Sequence, residues 1–251
     1  MSLADAGCFA RYEYAWSKVP FQGARGESFW AHLFIRRLNG GSVKNDPYSN
    51  VASLYDRLFE SMNHGLRLAG LRMFRPAKGM SVLDVGCGTG TGLELYQRYQ
   101  CHLYGLDASP AMLNIARGRL ADSAQLDLGD ATHMPYEDGK FDLVISMLTL
   151  HEMSPETRVA VIGEIKRVLK RGGRILLIDF HPGPYEPLQG WISRAIILLS
   201  EFLAGSEHFR NHRHFLLHDG LPALAVQHGL RVERQSILAG GTFAVQCSRM
   251  E

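Results

Sequence analysis

The 251-residue sequence lacks the features that mark several common classes of protein. Its four cysteines show neither pair spacing nor metal-ligand spacing, which favours a reducing compartment and a cytoplasmic location. The formal net charge is only +2, so charge gives no case for nucleic-acid binding. No run of ~20 apolar residues occurs, and charged residues interrupt the beginning of the chain. We therefore expect neither a membrane-spanning helix nor a secretory signal.

A dinucleotide fingerprint is also missing from the glycine-rich segment Ser81–Gly92, SVLDVGCGTGTG. A G-x-G-x-x-G motif counted from Gly86 requires glycine at position 91, where the sequence has Thr91. The segment predicts a short strand, a glycine turn and the start of a helix, which is how open α/β sheets build a nucleotide-type pocket. Asp84, just before the turn, suits a ligand with an ammonium group, because a carboxylate would repel a pyrophosphate.

Two further acids follow at the tips of the next two predicted strands. Asp107 ends the second strand, where an acid is placed to accept hydrogen bonds from two ribose hydroxyls. Asp130 comes shortly after the third predicted strand, Gln125 to Leu128, and is followed by Ala131. Three acids at successive strand tips beside a glycine turn predict a nucleoside pocket.

These residues together resemble the class I S-adenosylmethionine-dependent methyltransferases. The resemblance implies S-adenosyl-L-methionine as the cofactor, with the glycine turn around the methionine end, Asp107 at the ribose and Asp130 at the adenine. The full set of implied cofactor-binding residues is Asp84, Gly86, Gly88, Thr89, Gly90, Asp107, Asp130, Ala131 and Met147.

Residues 50–67, NVASLYDRLFESMNHGLR, resemble the N-terminal motif of the ubiquinone/menaquinone-biosynthesis C-methyltransferases. In that group a Tyr-Asp helix covers the active site, so Tyr55 is a candidate for shaping the site, the alternative being a core aromatic. The sequence departs from the group after the fourth strand, where LHEM replaces an Arg-Asn pair, and at Asp179–His181, where the group has Glu-Phe-Ser. A quinone acceptor therefore stays open beside a phospholipid amine, another apolar molecule or a phenol.

The order of elements predicts an α/β fold with a doubly wound, mostly parallel sheet of seven strands and a C-terminal antiparallel hairpin. The apolar run Phe141 to Leu148 is typical of a central strand buried on both faces. The same patterns predict a helix over 93–100, a helix from 155 to 169 and a strand over 174–180. We expect residues 1–45 to form an N-terminal arm and 46–251 the methyltransferase domain, with 182–218 as a lid or substrate insertion.

Candidate catalytic residues follow the fourth and fifth strands, because ligands bind at the carboxyl ends of the strands in open sheets. His151 is the first candidate for a base or substrate ligand and His181 the second, with Tyr55 beside them. The alternative for each histidine is a loop or capping residue without chemistry.

The predicted insertion contains a helix over 188–203 that is apolar nearly all round. It suits the lining of an apolar substrate tunnel, plain packing as a lid, or contact with a membrane surface or second subunit. The pairs His208/His212 and His214/His218 have the helical spacing of metal ligands. We nevertheless predict no metal, since no cysteine lies nearby and two arginines interrupt the cluster.

The sequence thus predicts an S-adenosylmethionine-dependent methyltransferase acting on a small, apolar or lipid-like acceptor. Two alternatives stay open: a cofactor-binding subunit that works through a partner, and an NAD-dependent oxidoreductase on the same fold. We expect a small-molecule substrate and no nucleic acid, and a monomer or a homodimer. Peripheral membrane contact stays open.

Overall fold

A computed structural model describes residues 52–188, 190–191, 193–195, 197, 206–218 and 220–251, with side chains described from residue 63 onward. The predicted arm over 1–45 and the side chain of Tyr55 lie outside the described residues. Of the predicted helix over 188–203, residues 190–191, 193–195 and 197 are helical, whereas Leu188 lies in a turn with φ 73°, so the predicted start at 188 is wrong. The domain boundary and the role of the insertion stay predictions.

Besides the helical residues between 190 and 197 and several 3-10 turns, the described part of the chain has six α-helices with defined bounds and seven strands. The helices are α1 (Ala52–Met73), α2 (Thr91–Glu94), α3 (Pro110–Leu120), α4 (Pro155–Val168), α5 (Ser206–Leu217) and α6 (Gly220–Gln227). The strands are β1 (Ser81–Val85), β2 (His102–Asp107), β3 (Ala124–Leu128), β4 (Phe141–Met147), β5 (Leu169–Phe180), β6 (Leu230–Leu238) and β7 (Phe243–Met250).

All seven strands belong to one sheet in the order β3-β2-β1-β4-β5-β7-β6. The first five strands pair in parallel, whereas β7 is antiparallel to both β5 and β6. The predicted fold class is confirmed, including the C-terminal antiparallel hairpin. The strand order reverses between β1 and β4, which is where ligands bind in open α/β sheets.

The core is centred on β4, as its apolar run predicts. Phe141, Leu143 and Val144 are fully buried, because helices cover both faces of a parallel sheet. On one face α1 approaches β5 closely at Gly70, where a Cβ would come within 2.9 Å of Ile178 Cδ1 and 3.0 Å of Leu176 Cδ2. Within the described residues, no helix combines the length and apolar character that crossing a bilayer requires.

The extent of one helix and the start of one strand differ from the prediction. The expected helix over 93–100 is instead the short helix α2 followed by a 3-10 turn over Gln97–Tyr99, and Gln100 turns left-handed at φ 55° to lead into β2. The predicted strand start at 174 is wrong by five residues, because the chain becomes extended at Leu169 directly after α4. Leu169 pairs with Phe141 across a register shift, and this pairing buries its side chain.

Candidate functional site

The glycine turn after β1 has the backbone conformation that its sequence predicts. Gly86, Gly88 and Gly90 have φ angles of 76°, 54° and 79°, which residues with a Cβ rarely adopt. The backbone N–H groups of Gly86 and Cys87 donate to Leu106 O at 2.8 and 3.1 Å, which ties the turn to β2. A Cβ at Gly86 would lie 2.5 Å from Thr149 Oγ1, whereas one at Gly88 would meet nothing within 4 Å.

Asp107 at the end of β2 holds the turn in place. Its Oδ2 accepts a hydrogen bond from Gly88 N at 2.7 Å, and its Oδ1 accepts one from Ser109 N at 2.8 Å. Ser109 in turn caps α3 by accepting from Met112 N. One carboxylate therefore joins the glycine turn, the tip of β2 and the start of α3.

Asp84 is a carboxylate in β1 that points into the interior beside the turn. It is 6% exposed, and its Oδ1 has no hydrogen-bond partner among the described residues. Burial raises the pKa of Asp84 to about 7, and repulsion from Asp107 adds to this, although the Arg67 guanidinium acts in the opposite direction. A buried acceptor of this kind matches a ligand that supplies a positive charge and N–H donors.

Asp130 differs from the other two acids because it is exposed. Its Oδ1 accepts from Thr132 N at 2.8 Å, and the hydrogen bonds from Thr132 hold its pKa below the ordinary value. The carboxylate therefore shapes its own turn at the carboxyl end of β3 while standing at the edge of the site.

A cavity of about 730 Å³ lies between these strand tips. Its size is in the usual range for small-molecule sites. Eight of the nine predicted cofactor residues line it: Asp84, Gly86, Gly88, Thr89, Asp107, Asp130, Ala131 and Met147. Gly90 is outside this lining and instead lets the turn pack on α3, since a Cβ there would lie 2.8 Å from Leu120 Cδ1.

The cavity also contains residues that the sequence did not single out. Asn63 and Arg67 reach it from α1, where their spacing of four residues places them on one helix face. Glu152 and Met153 line it from the loop after β4. Asn63 and Arg67 both fall inside the motif over residues 50–67, which was the available signal for them.

His151 lies behind the cavity rather than in its lining. The ring is 3% exposed, and its Nδ1 is 2.8 Å from Asp179 Oδ1. Asp179 is held by three backbone N–H groups, of Leu150 and His151 to Oδ2 and of Phe180 to Oδ1. The next residue, Glu152, does line the cavity, and its Oε1 lies 3.9 Å from His151 Nε2.

His181 is likewise absent from the lining of the described cavity. Its Nδ1 accepts from Gly183 N at 3.2 Å and lies 3.1 Å from Gly241 O. The OH of Tyr185 donates to His181 O at 3.1 Å. These contacts give His181 a role in shaping the loop after β5, and its predicted catalytic role stays a prediction, as does that of Tyr55.

Three features of the cavity lining suit the binding of S-adenosylmethionine. The buried Asp84 carboxylate suits the ammonium of the methionine end. The bare backbone at Gly88 borders open space, so a ligand can approach it. The carboxylate of Asp107 stands at the tip of the second strand, where ribose hydroxyls bind in open sheets.

Comparisons with known proteins agree with this fit. Residues 83–177 match a family model described as a methyltransferase domain. The chain is 31% identical over 186 residues to an uncharacterized methyltransferase of Synechocystis sp., covering 74% of this chain and 82% of that one. It is 34% identical over 143 residues to the demethylmenaquinone methyltransferase of Clavibacter sepedonicus, covering 55% of this chain and 58% of that one.

The fold has counterparts among solved structures. A methyltransferase from Aquifex aeolicus, described as dependent on S-adenosylmethionine, superposes with a TM-score of 0.56 at 20% identity, covering 82% of this chain and 98% of that one. Sheet order, glycine turn and acidic strand tips are those of class I methyltransferases. The chain belongs to this family of S-adenosylmethionine-dependent enzymes, and its sequence is similar to the demethylmenaquinone methyltransferases within it.

Proposed function

We propose that this methyltransferase acts on a small acceptor with a largely apolar body, which binds over the carboxyl ends of β4 and β5. The observation that carries the proposal is the lining of the cavity on the β4 side. Met147, Leu148, Met153 and Val161 supply apolar contacts there, and Thr149, Glu152 and Thr157 are the polar groups among them. An apolar wall with few polar groups favours a lipid-like molecule with one polar end.

The proposed cofactor contacts follow the strand tips. Asp84 binds the methionine ammonium, the turn from Gly86 to Thr89 surrounds the methionine end, and Asp107 accepts from the ribose hydroxyls. Asp130 and Ala131 lie at the adenine, and Met147 lies near the cofactor. S-adenosylmethionine supplies an electrophilic methyl group on a positively charged sulfur, so the protein mainly positions the acceptor and excludes water.

Proton removal from the acceptor is proposed for the loop after β4. Glu152 faces the cavity and is the group from this loop that reaches a bound acceptor. His151 is proposed to position the Glu152 carboxylate. Asp179 fixes the His151 ring, and the Nε2 atom of that ring faces Glu152. His181 and Tyr55 are proposed to shape the acceptor site from the loop after β5 and from α1.

The similarity to the Clavibacter enzyme supports a lipid-like acceptor, since its name specifies demethylmenaquinone as the methyl acceptor. The departures at residues 150–153 and 179–181 lie on the acceptor side of the sheet. We therefore propose the class of acceptor, an apolar molecule with one reactive polar end, and not the quinone itself.

Two measurements test this proposal. Thermal unfolding with S-adenosylhomocysteine should raise Tm, whereas NAD at equal concentration should leave it unchanged. Candidate acceptors are then offered as a panel: a prenylated hydroquinone and a long-chain amine as apolar members, and small amines and carboxylates as polar members. Mass spectrometry should detect an added methyl group on an apolar member. Methylation confined to the polar members would contradict the proposed acceptor class. Cofactor binding with no methylation of any panel member would favour the partner-dependent alternative.

A further inference from the structure

Three potential metal ligands converge where α5 meets the loop after β4. The ligand atoms of His151, Glu152 and His208 all lie within 4.8 Å of one another. Glu152 Oε1 is 3.9 Å from His151 Nε2 and 3.7 Å from His208 Nε2. We propose that these three side chains bind a divalent transition-metal ion of the zinc type, at the edge of the acceptor site. The proposal rests on the proposed function and changes one part of it: with an ion bound, Glu152 is a metal ligand, and the ion rather than a free carboxylate activates the acceptor.

The separations suit ligands that share an ion. A nitrogen and an oxygen that form a direct hydrogen bond lie about 2.7–3.2 Å apart, so 3.7 and 3.9 Å are too long for one. Metal–ligand bonds of about 2.0–2.2 Å in a tetrahedral zinc site place the ligand atoms about 3.3–3.6 Å apart. The two distances from Glu152 to the histidines need shorten by only a few tenths of an ångström to reach that spacing, and the ligand nitrogens of the two histidines lie within 4.8 Å of each other.

Asp179 prepares His151 for this role. With Nδ1–H donated to the Asp179 carboxylate at 2.8 Å, the neutral ring presents the lone pair of Nε2 toward Glu152 and His208. A carboxylate behind a histidine is the usual partner of a metal-binding imidazole, because it fixes the tautomer and raises ligand basicity. Since both side chains are almost fully buried, the ring cannot turn away.

Hydrogen bonds fix α5 to the loop, so His208 is held at the site. Arg158 donates from Nε to Leu150 O at 2.8 Å and from Nη2 to Asn211 O at 3.0 Å. Asn211 Nδ2 donates to Glu152 O at 2.8 Å. His208 lies one turn before Asn211 on α5, and its ring meets that of His151 at a centroid distance of 5.8 Å. A site on packed elements of this kind is positioned before the ion arrives.

The charges around the site also favour a cation. Glu152 and Asp179 contribute two carboxylates here, and among the described contacts the guanidinium of Arg158 directs its donors at the backbone carbonyls of Leu150 and Asn211. Arg210 and Arg213 on the same helix are exposed to solvent, where water and salt screen their repulsion of a cation bound by the three ligands.

This ligand set revises the expectation of no metal. The sequence pairs do not form the described cluster: the His212 ring packs on Phe180 at 4.5 Å, and His214 stacks on His218 at 4.0 Å. His208 instead meets two residues from a distant part of the chain. Because Glu152 lines the cavity, an ion here has an open coordination position on the acceptor side, where it would bind and polarise an oxygen of the acceptor.

The test is calorimetric titration of the chelator-treated full chain with Zn²⁺, followed by Co²⁺ as a spectroscopic probe. We expect one equivalent to bind, with visible Co²⁺ absorption typical of nitrogen and oxygen ligands. His208→Gln and Glu152→Gln should each weaken binding at least about tenfold. The matched control is His218→Gln, an exposed histidine just after α5 that should bind as the parent chain does.

Stabilisation by S-adenosylhomocysteine serves as the folding control. His208 is outside the lining of the described cavity, so His208→Gln should keep the cofactor-induced rise in Tm. Absence of Zn²⁺ binding by the parent chain, or unchanged binding by His208→Gln, would overturn the metal site while leaving the methyltransferase proposal intact. Loss of binding in His218→Gln alone would assign the metal to the other histidine pair and equally refute this one.

Discussion

Cofactor affinity should depend on pH through Asp84. In the apoprotein this carboxyl is 6% exposed and its pKa is about 7, mainly because of burial. An ammonium group bound beside it favours the ionised carboxylate and lowers this pKa. Binding therefore releases a proton wherever the apoprotein holds Asp84 protonated, which is below pH 7.

The size of the effect follows from the pKa. The ordinary value is 3.8, and the difference to about 7 is worth about 4 kcal/mol of penalty on the ionised form. Because the folded state binds the proton more tightly than the unfolded chain, this group makes the apoprotein less stable as pH rises from about 4 to about 7. The ligand's ammonium offsets that penalty, so stabilisation by S-adenosylhomocysteine should grow over the same range.

Isothermal titration calorimetry with S-adenosylhomocysteine at constant ionic strength measures this directly. We expect a Kd that is nearly constant above pH 7.5 and about 30-fold weaker at pH 5.5 than at pH 8.5. Heats measured in buffers of different ionisation enthalpy should show close to one proton released at pH 5.5 and almost none at pH 8.5.

Substitution separates the contribution of Asp84 from that of other titratable groups. Asp84→Asn should bind more weakly and lose most of the pH dependence, whereas Asp122→Asn, an exposed acid after α3, should behave as the parent chain does. An unchanged pH profile in Asp84→Asn would refute the reasoning, as would a parent profile that is flat between pH 5.5 and 8.5.

Three further substitutions test other parts of the site. Asp107→Ala should weaken S-adenosylhomocysteine binding by roughly 1.5–3 kcal/mol in calorimetry, because the hydrogen-bond acceptor for the ribose and the anchor of the turn at Gly88 are both lost. Unchanged affinity would argue against the ribose role. Gly86→Ala should lower the free energy of unfolding, measured in urea, by more than about 2 kcal/mol, because the added Cβ clashes with Thr149 and the backbone φ is positive. As a control, Gly163→Ala on the open face of α4 should raise the free energy of unfolding by about 0.5–1 kcal/mol. Equal effects of the two substitutions would be inconsistent with the turn geometry. His151→Ala should reduce kcat at least about tenfold with little change in cofactor affinity, and equal losses of both would make His151 structural.

The sheet and the cofactor end were predictable because their signals are local. A strand, a glycine turn and an acid at the next strand tip occur within a short stretch, and each has a direct physical meaning. The apolar run of β4 predicted its burial on both faces, and Phe141 is indeed fully buried. Eight of the nine expected cofactor residues line the cavity for the same reason, and Gly90 falls outside because its glycine serves contact with α3.

The acceptor side was harder to predict because its geometry depends on tertiary contacts. His151 and Glu152 are neighbours in sequence, and only the position of Asp179 decides that the ring turns inward and the carboxylate outward. His208 joins them through the packing of α5, which no spacing in the sequence indicates. The start of β5 was misplaced for a related reason, since the pairing of Leu169 with Phe141 in β4 extends the strand back to the end of α4.

The position of β7 has a consequence for how the molecule is made. This strand is the last element of the described chain, yet it lies between β5 and β6 with most of its side chains buried. Until the ribosome has released these residues, β5 has an exposed edge and β6 has no neighbour to pair with. The nascent polypeptide must therefore wait for β7 before the sheet can close, and a chain cut short before β7 would expose strand edges that favour self-association.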